Sequence, residues 1–282
     1  MLSSVNTYTL AYSPCPNDTY IFAALTNGLL AGAPRVRVHF ADIEELNASA
    51  ARAEHELTKV SYGAIPYLMN DYRILRCGGA LGRGCGPLVV TRPGVAASLE
   101  DVGRLRVGVP GERTTAFMLL QLALGKRPAV EVMRFDAIIP AVAAGRVDAG
   151  LIIHESRFTY QDSGLVSVAD LGDWWESISG MPIPLGAILV RNDLDDACTA
   201  EIDAAIRSSL SYAREHEAVV MPFVRQHAFE MSDDVMRRHI DLYVNRYSDD
   251  VGDDGIAAVT ELFARARGAG ILSSDAAPHF SR

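Results

Sequence analysis

The chain has 282 residues, 26 basic and 35 acidic, for a formal net charge of −9, with 49% hydrophobic and 22% charged residues. That is the balance of a soluble globular protein, long for one core and suited to two domains of ordinary size. The negative sign argues against a nucleic-acid partner, which wants a basic surface, but not against a small anionic substrate held in a pocket of locally opposite charge.

The first residues show no basic segment followed by an apolar stretch and a small-residue cleavage site, the pattern of a secretory signal. No apolar run approaches the roughly 18–20 residues that span a bilayer, so no membrane partner is expected. Cys15, Cys77, Cys85 and Cys198 are scattered without a Cys-x-x-Cys pair. They read as free thiols in a reducing compartment, and a cytoplasmic enzyme is the expectation.

Short apolar strands alternate with longer helical patterns, the signature of an α/β protein. Strands are predicted at Thr7–Tyr12, Val36–Phe40, Thr58–Val60, Gly86–Thr91, Arg106–Val109, Glu131–Arg134, Ala149–Ile153 and Ala187–Val190. Helices are predicted at Asp18–Asn27, Ile43–Ala53, Tyr62–Tyr67, Thr115–Leu124, Ala137–Ala144, Arg157–Ser163 and Trp174–Ser179. After Arg191 the chain turns almost wholly helical, over Asp195–Gln226, Ser232–Val244 and Asp253–Ala269, the first broken near Met221–Pro222. "GPLVVTRPG" (86–94) and "PLGAILVRND" (184–193) echo one another as apolar strands ending in a basic residue and a turn. A chain that leaves one lobe at the first and returns at the second has a discontinuous larger lobe, 1–90 with 190–282, and an inserted one, 91–189.

In open α/β sheets ligands bind beyond the carboxyl ends of the strands, so the polar residues gathered there are the candidates. Ser13, Asn17 and Asp18 follow the first strand; Pro14 and Pro16 hold that turn extended, and the next helix is capped by Asn17 or Asp18. Lys59 and Ser61 sit at the end of the third strand, where Lys59 is either a surface lysine or a half-buried pocket residue. Thr114, Thr115 and Ala116 begin a helix after "LRVGVPGER"; Thr114 is a natural cap, and the free amides behind it suit a carboxylate. His154 directly follows the apolar "AGLII". A strand-end histidine is often only a structural hydrogen-bond partner, but imidazole titrates near neutrality and can take and return a proton. Glu155 is its neighbour, although adjacent strand residues point to opposite faces. His227 and His239, in the late helices, read as structural or surface residues. Cys15 has no redox or metal-ligand spacing around it.

A Gly-x-Gly-x-x-Gly turn, a Walker lysine loop, a Gly-x-Ser-x-Gly elbow and metal-ligand spacings are all missing. Nucleotide, metal and serine-hydrolase readings fall behind, and no cofactor or metal is expected.

Taken in order, "SPCPNDTYIF", "DIEELN", "TKVSYGAIPYL", "GALGRGCGPLVV", "GLIIHESRFTY", "LGDWWE", "PIPLGAILVRND" and "HIDLYVNRYSDDVGDDG" resemble the 1,4-dihydroxy-6-naphthoate synthases of the futalosine route to menaquinone. The resemblance runs from about Tyr8 to Ile271; Tyr20 stands where a phenylalanine is common, keeping the ring. It implies a periplasmic-binding-protein-like fold (type II) of two α/β lobes, with mixed sheets flanked by helices and two crossover strands, used without export. It implies cleavage of cyclic dehypoxanthinylfutalosine to 1,4-dihydroxy-6-naphthoate and a dihydroxyacetone fragment, with His154 as proton acceptor and no cofactor. Lys59, Ser61, Thr114, Thr115 and Ala116 match the family's substrate contacts. Chorismate dehydratase, of the same route and fold, and a non-enzymatic solute receptor are the competing readings.

Overall fold

The computed structural model describes residues 6–228, 232–273 and 277–281. The chain begins with β1 (Thr7–Tyr12), α1 (Pro16–Thr26), β2 (Arg35–Phe40), α2 (Ile43–Ala50), β3 (Leu57–Ser61), β4 (Tyr72–Ile74) and β5 (Ala80–Gly82). It continues through β6 (Leu88–Thr91), α3 (Leu99–Val102), β7 (Arg106–Val109), α4 (Thr115–Leu124), β8 (Ala129–Val132), α5 (Phe135–Ala143), β9 (Ala149–Ile152), α6 (Ser156–Thr159), β10 (Val166–Asp170) and α7 (Leu171–Ser179). The long β11 (Ile183–Arg191) precedes α8 (Asp196–Glu215), α9 (Glu217–His227), α10 (Asp233–Tyr243), α11 (Arg246–Asp249) and α12 (Gly252–Gly268).

Two mixed sheets result. The first has the order β2-β1-β3-β11-β4, with β5 also paired to β11; β1 runs parallel to β2 and β3, and β11 is antiparallel to its partners. The second has the order β10-β6-β9-β7-β8, with β7 parallel to β8 and β9 and with β6 antiparallel to β9 and β10. The chain passes from the first sheet to the second between β5 and β6 and returns between β10 and β11. Helices flank both sheets, as parallel pairing requires, because parallel strands are joined by crossover helices. α1 is buried along nearly its whole length, Pro16 through Leu25. It is wrapped by α8, α9 and α10, so its apolar residues run all round instead of on one stripe.

Several boundaries differ from expectation. The helix predicted over Tyr62–Tyr67 is one 3-10 turn, Ile65–Tyr67, because Pro66 lies in it and Gly63 precedes it. The strand predicted at Glu131–Arg134 lies two residues earlier, at Ala129–Val132, in register with β7. The short strands β4 and β5 and the half-exposed β10 carry too few alternating residues to stand out from loops. The break expected near Met221–Pro222 falls at His216, whose φ of −130° and ψ of 44° leave the helical region. Pro222 is accommodated inside α9, where its missing N–H removes one intrahelical bond.

Candidate active site

Both sheets contribute to one cavity. Its wall includes Ser13, Asn17 and Asp18 from the β1–α1 turn, Lys59 and Ser61 from β3, Thr114, Thr115 and Ala116 from the start of α4, and His154 beyond β9. Every residue singled out from the sequence as a contact is therefore brought together.

The β1–α1 turn begins the helix two residues earlier than expected. Pro16 occupies its first position, and Cys15 is the cap residue without a side-chain capping bond. Asn17 and Asp18 are thus released from capping and face the cavity. Asp18 is 2% exposed and accepts from Ser13 Oγ (2.7 Å), from Asn17 Nδ2 (2.8 Å) and from the ammonium of Lys59, itself 4% exposed. Neither ion would be stable so deep alone; paired and hydrogen-bonded, both remain. Lys59 keeps further N–H donors beyond the one given to Asp18. Cys15 is buried, and burial pushes its thiol well above the usual range, with Glu155 and Asp18 adding to the effect. It is a poor nucleophile in that state.

The α4 N-terminus is fixed from both sheets. Thr114 Oγ1 accepts from Phe117 N (3.2 Å) and donates to Gly111 O (2.8 Å). Thr115 Oγ1 accepts from Gly63 N (3.1 Å) and donates to Leu185 O (2.7 Å), binding α4 to the β3 loop and to β11. With both hydroxyls engaged, the donors left for an anion are the first amides of the helix, Thr115 and Ala116, which have no intrahelical partner. The approach requires glycine at residue 63: a Cβ there would lie 2.8 Å from the Thr114 carbonyl.

His154 lies two residues beyond the central strand of the second sheet. β9 is fully buried, and the chain then turns so sharply that His154 adopts a φ of 57°. A non-glycine residue in the left-handed region is strained, and such residues gather at functional sites. Its ring meets Phe135 edge to face at 5.1 Å. Burial pushes its pKa down to about 4; the negative charge of Asp18 opposes this, and the positive charge of Lys59 assists it. The imidazole is neutral at physiological pH and has a lone pair to offer. Glu155, its neighbour in the chain, makes no hydrogen bond to it among the described residues. The Glu155 Oε2 is buried with no hydrogen-bond partner among the described residues, and burial raises the pKa of this carboxyl to about 7.

The sequence reading missed the fourth wall. His239, taken there as structural or surface, is 1% exposed and lines the cavity together with Tyr243, Cys85, Gly86 and Leu185. Its Nε2 lies 3.0 Å from Asn17 Oδ1, a contact across 222 residues of chain. The available signal was the α10 pattern, in which Met236, His239, Ile240 and Tyr243 fall on the buried face. His227 instead bonds within its own helix, Nδ1 to Phe223 O at 2.9 Å. Among the described residues no group of three or more His, Cys, Asp or Glu is placed to hold a metal ion.

A family profile described as menaquinone biosynthesis matches residues 8–268. A 1,4-dihydroxy-6-naphthoate synthase of Thermus thermophilus is 48% identical over 271 residues, covering 96% of this chain and 98% of the relative. Its namesake from Streptomyces coelicolor is 46% identical over 274 residues, covering 95% and 96%. Among solved structures, protein AF1704 of Archaeoglobus fulgidus superposes with a TM-score of 0.88 at 34% identity, over 94% of this chain and 98% of that one. The alkanesulfonate-binding protein SsuA of Xanthomonas axonopodis superposes with a TM-score of 0.71 at 13% identity, over 96% of each chain. The last likeness is one of fold alone, the two-lobed architecture of periplasmic binding proteins.

Proposed function

The chain belongs to the menaquinone biosynthesis family of 1,4-dihydroxy-6-naphthoate synthases, and from that premise we propose that it is a carbon–carbon lyase acting on cyclic dehypoxanthinylfutalosine. The observation that carries the reading is His154: a neutral imidazole on a strained turn, facing a cavity whose other walls hold an ammonium and a helix N-terminus.

In this reading His154 takes the proton of a hydroxyl on the sugar-derived part of the substrate. The oxygen's electrons form a carbonyl, the adjacent carbon–carbon bond breaks, and its electron pair passes into the carbonyl-bearing ring as an enolate. Proton return and tautomerisation make that ring aromatic, and dihydroxyacetone leaves. Nothing is oxidised or reduced overall, so no redox partner is called for. Aromatisation supplies much of the driving force. A positioned base contributes about 10²–10⁴-fold. The Thr115 and Ala116 amides suit the substrate carboxylate, and Lys59 and Ser61 suit the developing enolate oxygen. Lobe closure excludes water around them. A cytoplasmic location fits this role; no helix among the described residues is long and apolar enough to cross a membrane.

The test is to incubate the protein with cyclic dehypoxanthinylfutalosine and follow the naphthoate chromophore, with chorismate as control. His154→Ala should keep the fold and substrate binding and lose turnover by at least about 10²-fold. Near-normal turnover by the purified variant removes His154 as the base. Turnover of chorismate in place of the futalosine compound moves the chain to the dehydratase branch. Binding without turnover of either makes it a receptor.

A further inference from the structure

His239 is the second imidazole of the cavity, and the reaction above does not use it. It lies on α10 four residues before Tyr243, so both side chains fall on one face, and both line the cavity. Burial pushes the His239 pKa well below the usual range, with His154 and Lys59 acting in the same direction. A neutral imidazole has one N–H and one bare lone pair.

The Lys59–Asp18 ion pair decides which nitrogen carries the hydrogen. Asn17 Nδ2 donates to Asp18 Oδ1, the same oxygen that takes the Lys59 ammonium. Turning the Asn17 amide end for end would set its carbonyl oxygen against that carboxylate, acceptor against acceptor. Asn17 Oδ1 is therefore the atom facing His239, and Nε2 must be the donor. Nδ1 is left as the lone pair. It is buried and has no hydrogen-bond partner among the described residues. A buried acceptor without a partner is uncommon and calls for an explanation, and a residue that lines a substrate cavity offers one.

We propose that His239 Nδ1 accepts a hydrogen bond from a hydroxyl of the sugar-derived part of the substrate and so holds that part beside His154. The inference rests on the reaction read above. The two imidazole rings lie 6.5 Å apart, centroid to centroid, and within 17° of parallel. That is too far for a direct bond between them and within reach of two hydroxyls on one three-carbon fragment. His239 thus selects a polyhydroxylated substrate over a bare aromatic acid, and Asn17 and Asp18 act as positioning residues that fix its tautomer.

Two substitutions separate the two nitrogens. His239→Gln puts an amide where Nε2 was and removes the Nδ1 acceptor; His239→Asn puts a carbonyl oxygen near Nδ1 and gives up the bond to Asn17. With wild-type protein turning over, the Gln variant should raise KM for cyclic dehypoxanthinylfutalosine by about tenfold or more, with a smaller change in kcat. The Asn variant should stay much closer to wild type. Binding of 1,4-dihydroxy-6-naphthoate, which lacks the sugar part, should be unchanged in both. A KM unchanged by Gln overturns the proposal. Nitrogen NMR of histidine-labelled protein gives a reading independent of turnover and of whether these variants fold. In the free protein His239 should carry its hydrogen on Nε2, and cyclic dehypoxanthinylfutalosine bound to His154→Ala should move the Nδ1 resonance. A hydrogen on Nδ1, or no movement on binding, overturns the proposal. If wild-type protein forms no naphthoate, the reaction has failed, and the Nδ1 resonance still decides the contact.

Discussion

Lys59 and Asp18 make a contact that is expensive to break from one side only. Each is almost wholly buried, and the Asp18 carboxylate is held by three donors, one of them charged. Lys59→Met leaves that carboxylate buried and uncompensated, a loss of about 3–5 kcal/mol for such pairs, to be read in urea-unfolding free energy. The double variant Lys59→Met, Asp18→Asn should lose clearly less than the two single losses added together. Strict additivity would show that the two groups do not depend on each other. Two other groups here titrate in opposite senses. The folded His154 value, about 4, lies below the unfolded value of 6.5. The unfolded chain then binds more protons between those limits, so this group makes stability rise with pH from about 4 to 6.5. Glu155 is raised from 4.5 to about 7, so its contribution is complete below pH 4.5 and is lost as pH rises through 7. Glu155→Gln should therefore gain in melting temperature over wild type at pH 8 and match it at pH 4.5. In the rate profile, kcat/KM should fall on the acid side near pH 4; an inflection near 6.5 would mean that a different, unburied base is at work.

At the scale of elements, α4 is held where it is by an absent side chain. Gly63→Ala drives a methyl group against the Thr114 carbonyl and pushes the helix start away from the β3 loop. The expected result is a stability loss of about 1–3 kcal/mol, as for overpacked cores. A rise in substrate KM should accompany it, since the Thr115 and Ala116 amides move with the helix. An unchanged KM would count against the anion role of those amides. The strands that place the site were legible because they are short apolar runs with turn-formers after them, and Thr114 was legible as a cap because its oxygen accepts from Phe117 N as a cap should. The first helix was misjudged by about two residues. Pro16, not a polar cap, starts it, and the polar pair then falls on the helix face toward the cavity. The proline in α9 misled in the other direction: tertiary contacts with α1 hold the helix through Pro222, and the break moved to His216.

For the whole molecule, a rule about strand ends found most of the cavity, because Ser13, Thr114 and His154 follow strands and Lys59 and Ser61 lie in the last residues of one. It could not find His239, which lies on a helix beyond the last strand and reaches the site through the packing of α10 on α1 and β5. Its register with Met236, Ile240 and Tyr243 on α10 was the local clue that it faces inward. The contact between Asn17 and His239 also has a consequence for synthesis. The turn that bears Asn17 leaves the ribosome 222 residues ahead of His239 on α10. A nascent chain therefore carries Lys59 and Asp18 long before the fourth wall of their cavity exists, and the substrate has no complete site to bind until α10 has emerged. Chains stalled before α10 emerges should bind cyclic dehypoxanthinylfutalosine much more weakly than released protein, and protease protection by this compound should appear only in chains stalled after α10 has emerged.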